Sequence, residues 1–350
     1  MNLFKRLILF IIAFSLLFTY SNTIYAYSNL NMEYITKPIN AAVVLFKFDD
    51  PYMNLIRDNL MDISKTSGEN IQFTFFDGKN NQAIQNEILN QLFTSNFDLL
   101  LVNLVTIDDT SLEYVINGAN ASNKPVILFN TSPTTIPPMV KSYNKFFIIS
   151  TDTKQSGILQ GKLIVDIWNN SKSIIDKNNN NILEYVIIKG KSLATSTIDR
   201  TVNSISTIKN ADIKTREIAS LSADWSKDIA RQNIEQIFLK YGNNIEAIIS
   251  NNDAMAIGAI EALQKYGYNT ENSKKNIIVV GIDGIPEAKE LVNKGIMSGT
   301  VIQDPKEIAT TIYHIGLNFI NNKPPLENIS YSPKDSYPII EMPYYEYKKD

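Results

Sequence analysis

An α/β fold of buried parallel strands is predicted by three features of this 350-residue chain. Short apolar runs of Val, Ile, Leu and Phe alternate along it with longer stretches of helical periodicity. The runs are apolar at consecutive positions, as strands covered on both faces are. Behind an N-terminal leader about 320 residues remain, enough for two domains with a full core each.

In order, Lys5 and Arg6 precede an apolar stretch from Leu7 to Phe18, and Ile24-Tyr25-Ala26 offers a small residue for cleavage. The run is shorter than the ~20 apolar residues that span a bilayer, so residues 1–26 read as a signal peptide or an N-terminal anchor. Ala42–Phe46 is the first strand, followed by a helix through Met53, Ile56, Leu60 and Ile63. Ile71–Phe76, Asp98–Val102, Pro125–Asn130 and Phe146–Ser150 read as further strands, with amphipathic helices at Gln82–Phe93 and Thr110–Ala121. The alternation resumes with Tyr185–Lys189, Ala211–Ile218, Ala247–Asn251, Ile277–Ile282 and Gly299–Gln303. The lone histidine, His314, sits among Ile312, Tyr313, Ile315 and Leu317 and reads as an ordinary packed side chain.

Several function classes are excluded by what is missing. With a net charge of −3, no basic face and no long charge run, the chain offers nothing to nucleic acid. It has no cysteine nucleophile, no second histidine, no Gly-x-Ser-x-Gly elbow and no phosphate loop, so an enzyme is not expected.

The stretch Asp176-Lys-Asn-Asn-Asn-Asn-Ile-Leu-Glu184 places oxygen-bearing groups at every second position. Asp176, Asn178 and Asn180 can turn side-chain oxygens to one centre, Ile182 can add its carbonyl, and Glu184 can close the shell. That is an oxygen-only ligand set of the kind Ca²⁺ prefers. An Asn-rich surface turn is the competing reading. Position six of such a loop is normally Gly for its left-handed turn, and here it is Asn181.

From about Ala41 to the C-terminus the chain resembles the galactose/glucose-binding protein family, the sugar-receiving subunits of ABC importers. Lys47-Phe-Asp-Asp-Pro-Tyr-Met53, Phe129-Asn130, Thr151-Asp-Thr-Lys-Gln-Ser-Gly157, Ser250-Asn-Asn-Asp-Ala-Met-Ala256, Gly281-Ile-Asp-Gly-Ile-Pro-Glu287 and Gly299-Thr300 fall in that family's order and spacing. The resemblance implies a type I periplasmic binding protein, with two doubly wound parallel-sheet domains joined by a three-stranded hinge. An N-terminal sugar-binding domain would hold residues 41–150 plus 304–338, and a C-terminal sugar- and calcium-binding domain 151–303 plus 339–350. The crossings would lie near Ser150–Asp152, Ile302–Pro305 and Ile339–Pro343.

The resemblance also implies the site. Asp50, Tyr52, Asn130, Arg200, Trp225, Asn252, Asp283 and Gln303 would bind a monosaccharide, with Tyr52 and Trp225 laying rings on the apolar faces of a pyranose. Glu246 would be the last ligand of a structural Ca²⁺ held by Asp176, Asn178, Asn180, Ile182 and Glu184. Two departures concern selectivity: where the family has a histidine and an aspartate on the sugar, this chain has Ala194 and Ser196. Gln303 replaces an asparagine. The expected function is an extracytoplasmic, monomeric receptor of galactose/glucose type. It would deliver sugar to an ABC permease by hinge closure, of which periplasmic binding proteins are a standing example. The alternative is a sugar sensor signalling to a membrane histidine kinase or chemoreceptor. With no cysteine, a lipoprotein is not expected.

Overall fold

The computed structural model describes residues 38–349 except 69–70, 134, 137 and 272–274. The expected leader, residues 1–26, lies outside the described residues.

From Ile39 the chain builds two sheets of six strands, each with helices on both sides. The first lobe opens with β1 (Ile39–Leu45), α1 (Pro51–Thr66), β2 (Ile71–Asp77), α2 (Gln82–Phe93), β3 (Leu99–Val102), α3 (Asp109–Ser122), β4 (Val126–Phe129) and β5 (Phe146–Thr151). The second contains α4 (Thr153–Ile175), β6 (Leu183–Lys189), α5 (Thr195–Asn210), β7 (Thr215–Ser222), α6 (Lys227–Tyr241), β8 (Ala247–Ser250), α7 (Asp253–Gln264), β9 (Ile278–Asp283), α8 (Pro286–Asn293) and β10 (Gly299–Ile302). The chain then returns through α9 (Pro305–Ile320) and β11 (Ile339–Met342) and ends in β12 (Tyr345–Tyr347). Strand orders are β11-β5-β4-β3-β1-β2 and β12-β10-β9-β8-β6-β7. Every pairing is parallel except β10 with β12.

The consecutive apolar residues are explained by burial on two faces. In β1, Ala41, Val43 and Leu45 enter one core and Ala42 and Val44 the other, all fully buried. Helices start just beyond strand ends on short polar residues whose side chains accept first-turn amides: Asp50 for α1, Asp108 for α3, Asn252 for α7 and Asp304 for α9. Pro51 and Pro305 follow their caps at the first helical position, where a missing N–H removes no bond.

Three expectations change. The strand expected at Ala211–Ile218 runs from Thr215 to Ser222. Ala211 and Asp212 instead turn back on the carbonyls of Ile208 and Lys209 to close α5, with Asp212 left-handed at φ 59°. Ile339–Met342, expected with the second domain, pairs in parallel with β5 of the first sheet, and only β12 joins the second. Pro343 falls between them, where its missing N–H ends the ladder. His314 is exposed on α9, its ring edge-on to Tyr313 at 5.3 Å, and not packed in the core.

The chain passes between sheets near Thr151–Thr153, Ile302–Pro305 and Met342–Tyr345, and the passages are tied together. The Tyr344 hydroxyl lies 2.8 Å from Thr151 Oγ1 and 3.1 Å from Gln303 Oε1, and accepts from Arg200 Nη2 at 3.1 Å. One phenol thus touches all three crossings.

Candidate functional site

Parallel sheets expose the C-terminal ends of their strands at one edge, and loops at those edges form the binding crevice of open α/β folds. Both edges face a single cavity of about 310 Å³. All eight residues expected to contact sugar line it: Asp50, Tyr52 and Asn130 from the first lobe, Arg200, Trp225, Asn252 and Asp283 from the second, and Gln303 at a crossing.

Asp50 and Asn252 occupy equivalent places in the two lobes. Each follows a strand and caps a helix, Asp50 Oδ1 accepting from Met53 N and Asn252 Oδ1 from Met255 N, both at 2.9 Å. Both line the cavity at the positive end of a helix. Gln303 Nε2 donates to Asn130 Oδ1 at 2.7 Å, a bond from the crossing to the first lobe. Arg200 donates to the Asn251 carbonyl at 2.7 Å and lies 3.8 Å from Asp283 Oδ1. Its Nε and the Tyr52 hydroxyl are buried without a partner. Unpaired buried donors are costly, on the order of 1–3 kcal/mol each.

Backbone strain collects here. Asn130 has φ 48°, Trp225 φ 63° and Asp283 φ 131°. Asn tolerates such a conformation, whereas for Trp it is uncommon and costs on the order of 1–3 kcal/mol. Packing holds Trp225 in place: a Cβ on Gly190 would stand 2.2 Å from its six-membered ring, so the ring lies flat on the glycine. The Arg200 guanidinium sits 5.8 Å from the Trp225 ring centroid.

Burial dominates the electrostatics. It pushes the Asp50 carboxyl up from its ordinary value despite the Met53 amide. Asp283 is pushed well up by burial, and by Asp253 and Asp50, against the pull of Arg200. Asp253, fully buried behind the site and accepting from Thr300 Oγ1 at 2.6 Å, is pushed up by burial to about 6. The array suits a neutral ligand rich in hydroxyls: acceptors at Asp50 and Asp283, a fixed cation at Arg200, amides at Asn130, Asn252 and Gln303, and an indole platform.

Ala194 and Ser196 also line the cavity. Asp199 turns away, accepting from Thr153 Oγ1 at 2.5 Å. Sequence reasoning missed Asn103, Thr151, Thr153 and Lys191 on the cavity wall. A signal existed for Asn103, a polar residue directly after the apolar β3, as Asn130 is after β4.

The Asp176–Glu184 loop joins α4 to β6, away from the cavity lining. Asn179 and Asn181 are left-handed at φ 56° and 59°, so Asn181 makes the turn usually given to glycine. Asp176 accepts from Asn180 N at 3.0 Å and Asn181 N at 2.9 Å, and Asn180 Oδ1 accepts from Ile182 N at 2.8 Å. Glu246 accepts from Lys177 N at 2.9 Å and Glu184 N at 3.0 Å. Glu184 accepts from the amides of Asn178 and Asn180 at 3.1 and 3.2 Å and pairs with Arg216. Among the described residues no group of three His, Cys, Asp or Glu side chains is close enough to hold a metal ion. The acids still sense one another: Glu246 is raised by burial first, then by Glu184 and Asp176.

Two lobes around one cavity, with a helix N-terminus at its wall from each side, are the architecture of a solute-binding protein. Residues 41–324 match the periplasmic binding protein domain, and the chain belongs to that family, whose members are binding components of transport. It is 30% identical over 309 residues to the D-galactose/methyl-galactoside binding periplasmic protein of Haemophilus influenzae, covering 88% of this chain and 89% of that one. It is 27% identical to the D-allose-binding periplasmic protein of Escherichia coli, covering 77% and 81%. An ABC transporter solute binding protein from Bacillus halodurans, solved with myo-inositol, shares the fold at a TM-score of 0.70 and 22% identity, covering 89% and 94%.

Proposed function

We propose that this chain is an extracytoplasmic receptor that closes its two lobes on a monosaccharide and presents the closed form to an ABC permease. The convergence of Tyr52 and Trp225 from opposite lobes on one cavity, with Asp50, Asn130, Arg200, Asn252, Asp283 and Gln303 around them, carries the reading. The two rings would lie against the apolar faces of a pyranose, and the polar groups would take its hydroxyls. Each bond to a charged group contributes about 1.5–3 kcal/mol, so Arg200, the fixed cation of the cavity, would supply a larger share of the selective energy than the neutral amides. The curated relatives named above bind galactose and allose, and this supports a monosaccharide. Ala194 and Ser196 place the particular sugar outside simple transfer from those relatives.

A structural Ca²⁺ belongs to the same proposal. The donors fit a hard cation in kind: buried Asp176, Glu184 and Glu246, with a loop already turned at Asn179 and Asn181. Asp176, Asn178, Asn180, Ile182, Glu184 and Glu246 would hold the ion. It would relieve their mutual repulsion and tie the loop to the strand that follows Glu246.

A panel of monosaccharides tested by thermal shift and calorimetry decides the ligand class. An occupied site at ~100-fold excess over Kd adds about 2.7 kcal/mol, so a binder raises Tm clearly. No shift with any neutral sugar refutes the reading.

A further inference from the structure

Beside the binding residues, another set of contacts crosses the cleft. Asn80, in the loop between β2 and α2, reaches the second lobe and donates from Nδ2 to Asp224 Oδ2 at 2.9 Å. Its Oδ1 accepts from Lys191 Nζ at 3.4 Å, and the same ammonium donates to the Val105 carbonyl at 2.8 Å. Lys191 and Asp224 both belong to the second lobe, one after β6 and the other after β7. Asn80 therefore enters between a cation and an anion of the other lobe, its carbonyl toward the ammonium and its amide toward the carboxylate. An amide polarised from both ends makes stronger bonds than either contact alone.

The loops carrying these groups are built for position. Asn80 is left-handed at φ 50°, and its backbone N–H bonds the Phe46 carbonyl at 2.7 Å, fixing it to the end of β1. Asp224 is left-handed at φ 49° and directly precedes Trp225. Lys191 follows Gly190, the residue on which the Trp225 ring lies. The ends of this contact are thus each one residue from the indole platform or its support.

We infer that Asn80, Asp224 and Lys191 form a closure latch, and that they are positioning residues for ligand retention. The inference deepens the reading of this cavity as the ligand site. In an open cleft Lys191 and Asp224 lose the amide between them, and closure restores it. Because the latch exists only when the lobes meet, its loss appears in the release rate, where most affinity differences between related complexes lie. A ligand under Trp225 holds the Gly190–Lys191 and Asp224–Trp225 segments in the geometry that receives Asn80.

The absence of native cysteine permits a clean test. Fluorophores on Glu87→Cys in α2 and Gln236→Cys in α6, both exposed, report lobe separation by single-molecule energy transfer. Asn80→Gly keeps the left-handed turn and removes the amide; Asp224→Asn keeps the turn and removes the charge. Each should lower the closed fraction and speed release of the tightest-binding sugar of the panel, Asn80→Gly by about tenfold, or about 1.4 kcal/mol. The double variant should be no worse than Asn80→Gly alone. Single variants that change neither closure nor release, or effects that multiply in the double, overturn the latch. Should no sugar bind, the reading of the ligand fails, and the ligand-free label distribution decides the latch alone: a closed fraction that does not fall in Asn80→Gly overturns it.

Discussion

Trp225→Ala is the sharpest perturbation of the proposed site. The indole lies flat on Gly190, half-buried, at the edge of the core and 5.8 Å from the Arg200 guanidinium. One face of an aromatic ring is about 100 Å², half of what such a side chain can bury, and at ~25 cal/mol per Å² covering it with a sugar gives about 2.5 kcal/mol. Binding should therefore weaken about seventyfold. Folding should suffer less, since alanine inherits the same positive φ and the vacated space opens to the cavity and not to an enclosed core. The readout is unusually clean because there are two tryptophans. Trp168, at 4% exposure, is buried on the core-facing side of α4 in the second lobe. Ligand-induced fluorescence change should come from Trp225 and vanish in the variant, while calorimetry gives the affinity. A variant that binds within twofold of the parent, or keeps its fluorescence change, removes Trp225 from the site.

Other outcomes follow from the wall, the loop and the buried acids. Ala194→His with Ser196→Asp should raise affinity for galactose or glucose relative to the sugar the parent prefers; an unchanged ranking across the panel shows that this segment does not set selectivity. Chelation by EDTA should lower Tm in scanning calorimetry, and Glu246→Gln should weaken Ca²⁺ binding more than Asn178→Ala, since it removes a formal charge. A Tm unmoved by EDTA, with no calcium on elemental analysis, leaves the loop an Asn-rich turn. Asp253 has a folded-state pKa raised from 3.8 to about 6, so between those values the unfolded chain loses its proton first and stability falls as pH rises. Asp253→Asn should lack this fall, gaining stability relative to the parent as pH rises through that window. Parallel stability curves for the two proteins would contradict it.

Much of the fold was legible in the sequence because strands buried on both faces must be apolar at successive positions. Ala42–Phe46 and Asp98–Val102 were placed to within a few residues on that ground. The pattern failed where burial is one-sided or local: β7 is an edge strand with alternating exposure, and its start was masked by the turn at Ala211 and Asp212. The last two strands went unseen as strands, since Ile339–Met342 and Tyr345–Tyr347 are too short for periodicity to speak.

For the site, sequence alone determined which residue types stand near the strand ends: Asn130 and Asp283 directly after apolar residues, and Asp50 and Asn252 a few positions beyond an apolar run, where a helix can be capped. That they share one cavity was decided only by the tertiary structure. Asp50 and Asp283 lie far apart in the chain, and no local rule relates them. The same holds for Asn80, Lys191 and Asp224, unremarkable polar loop residues in the sequence. Their meaning comes from the approach of two lobes, which is set by the three crossings around Tyr344 and not by any propensity of the loops themselves. Local patterns record what each segment must bury, whereas a site between lobes depends on how separately folded sheets are joined.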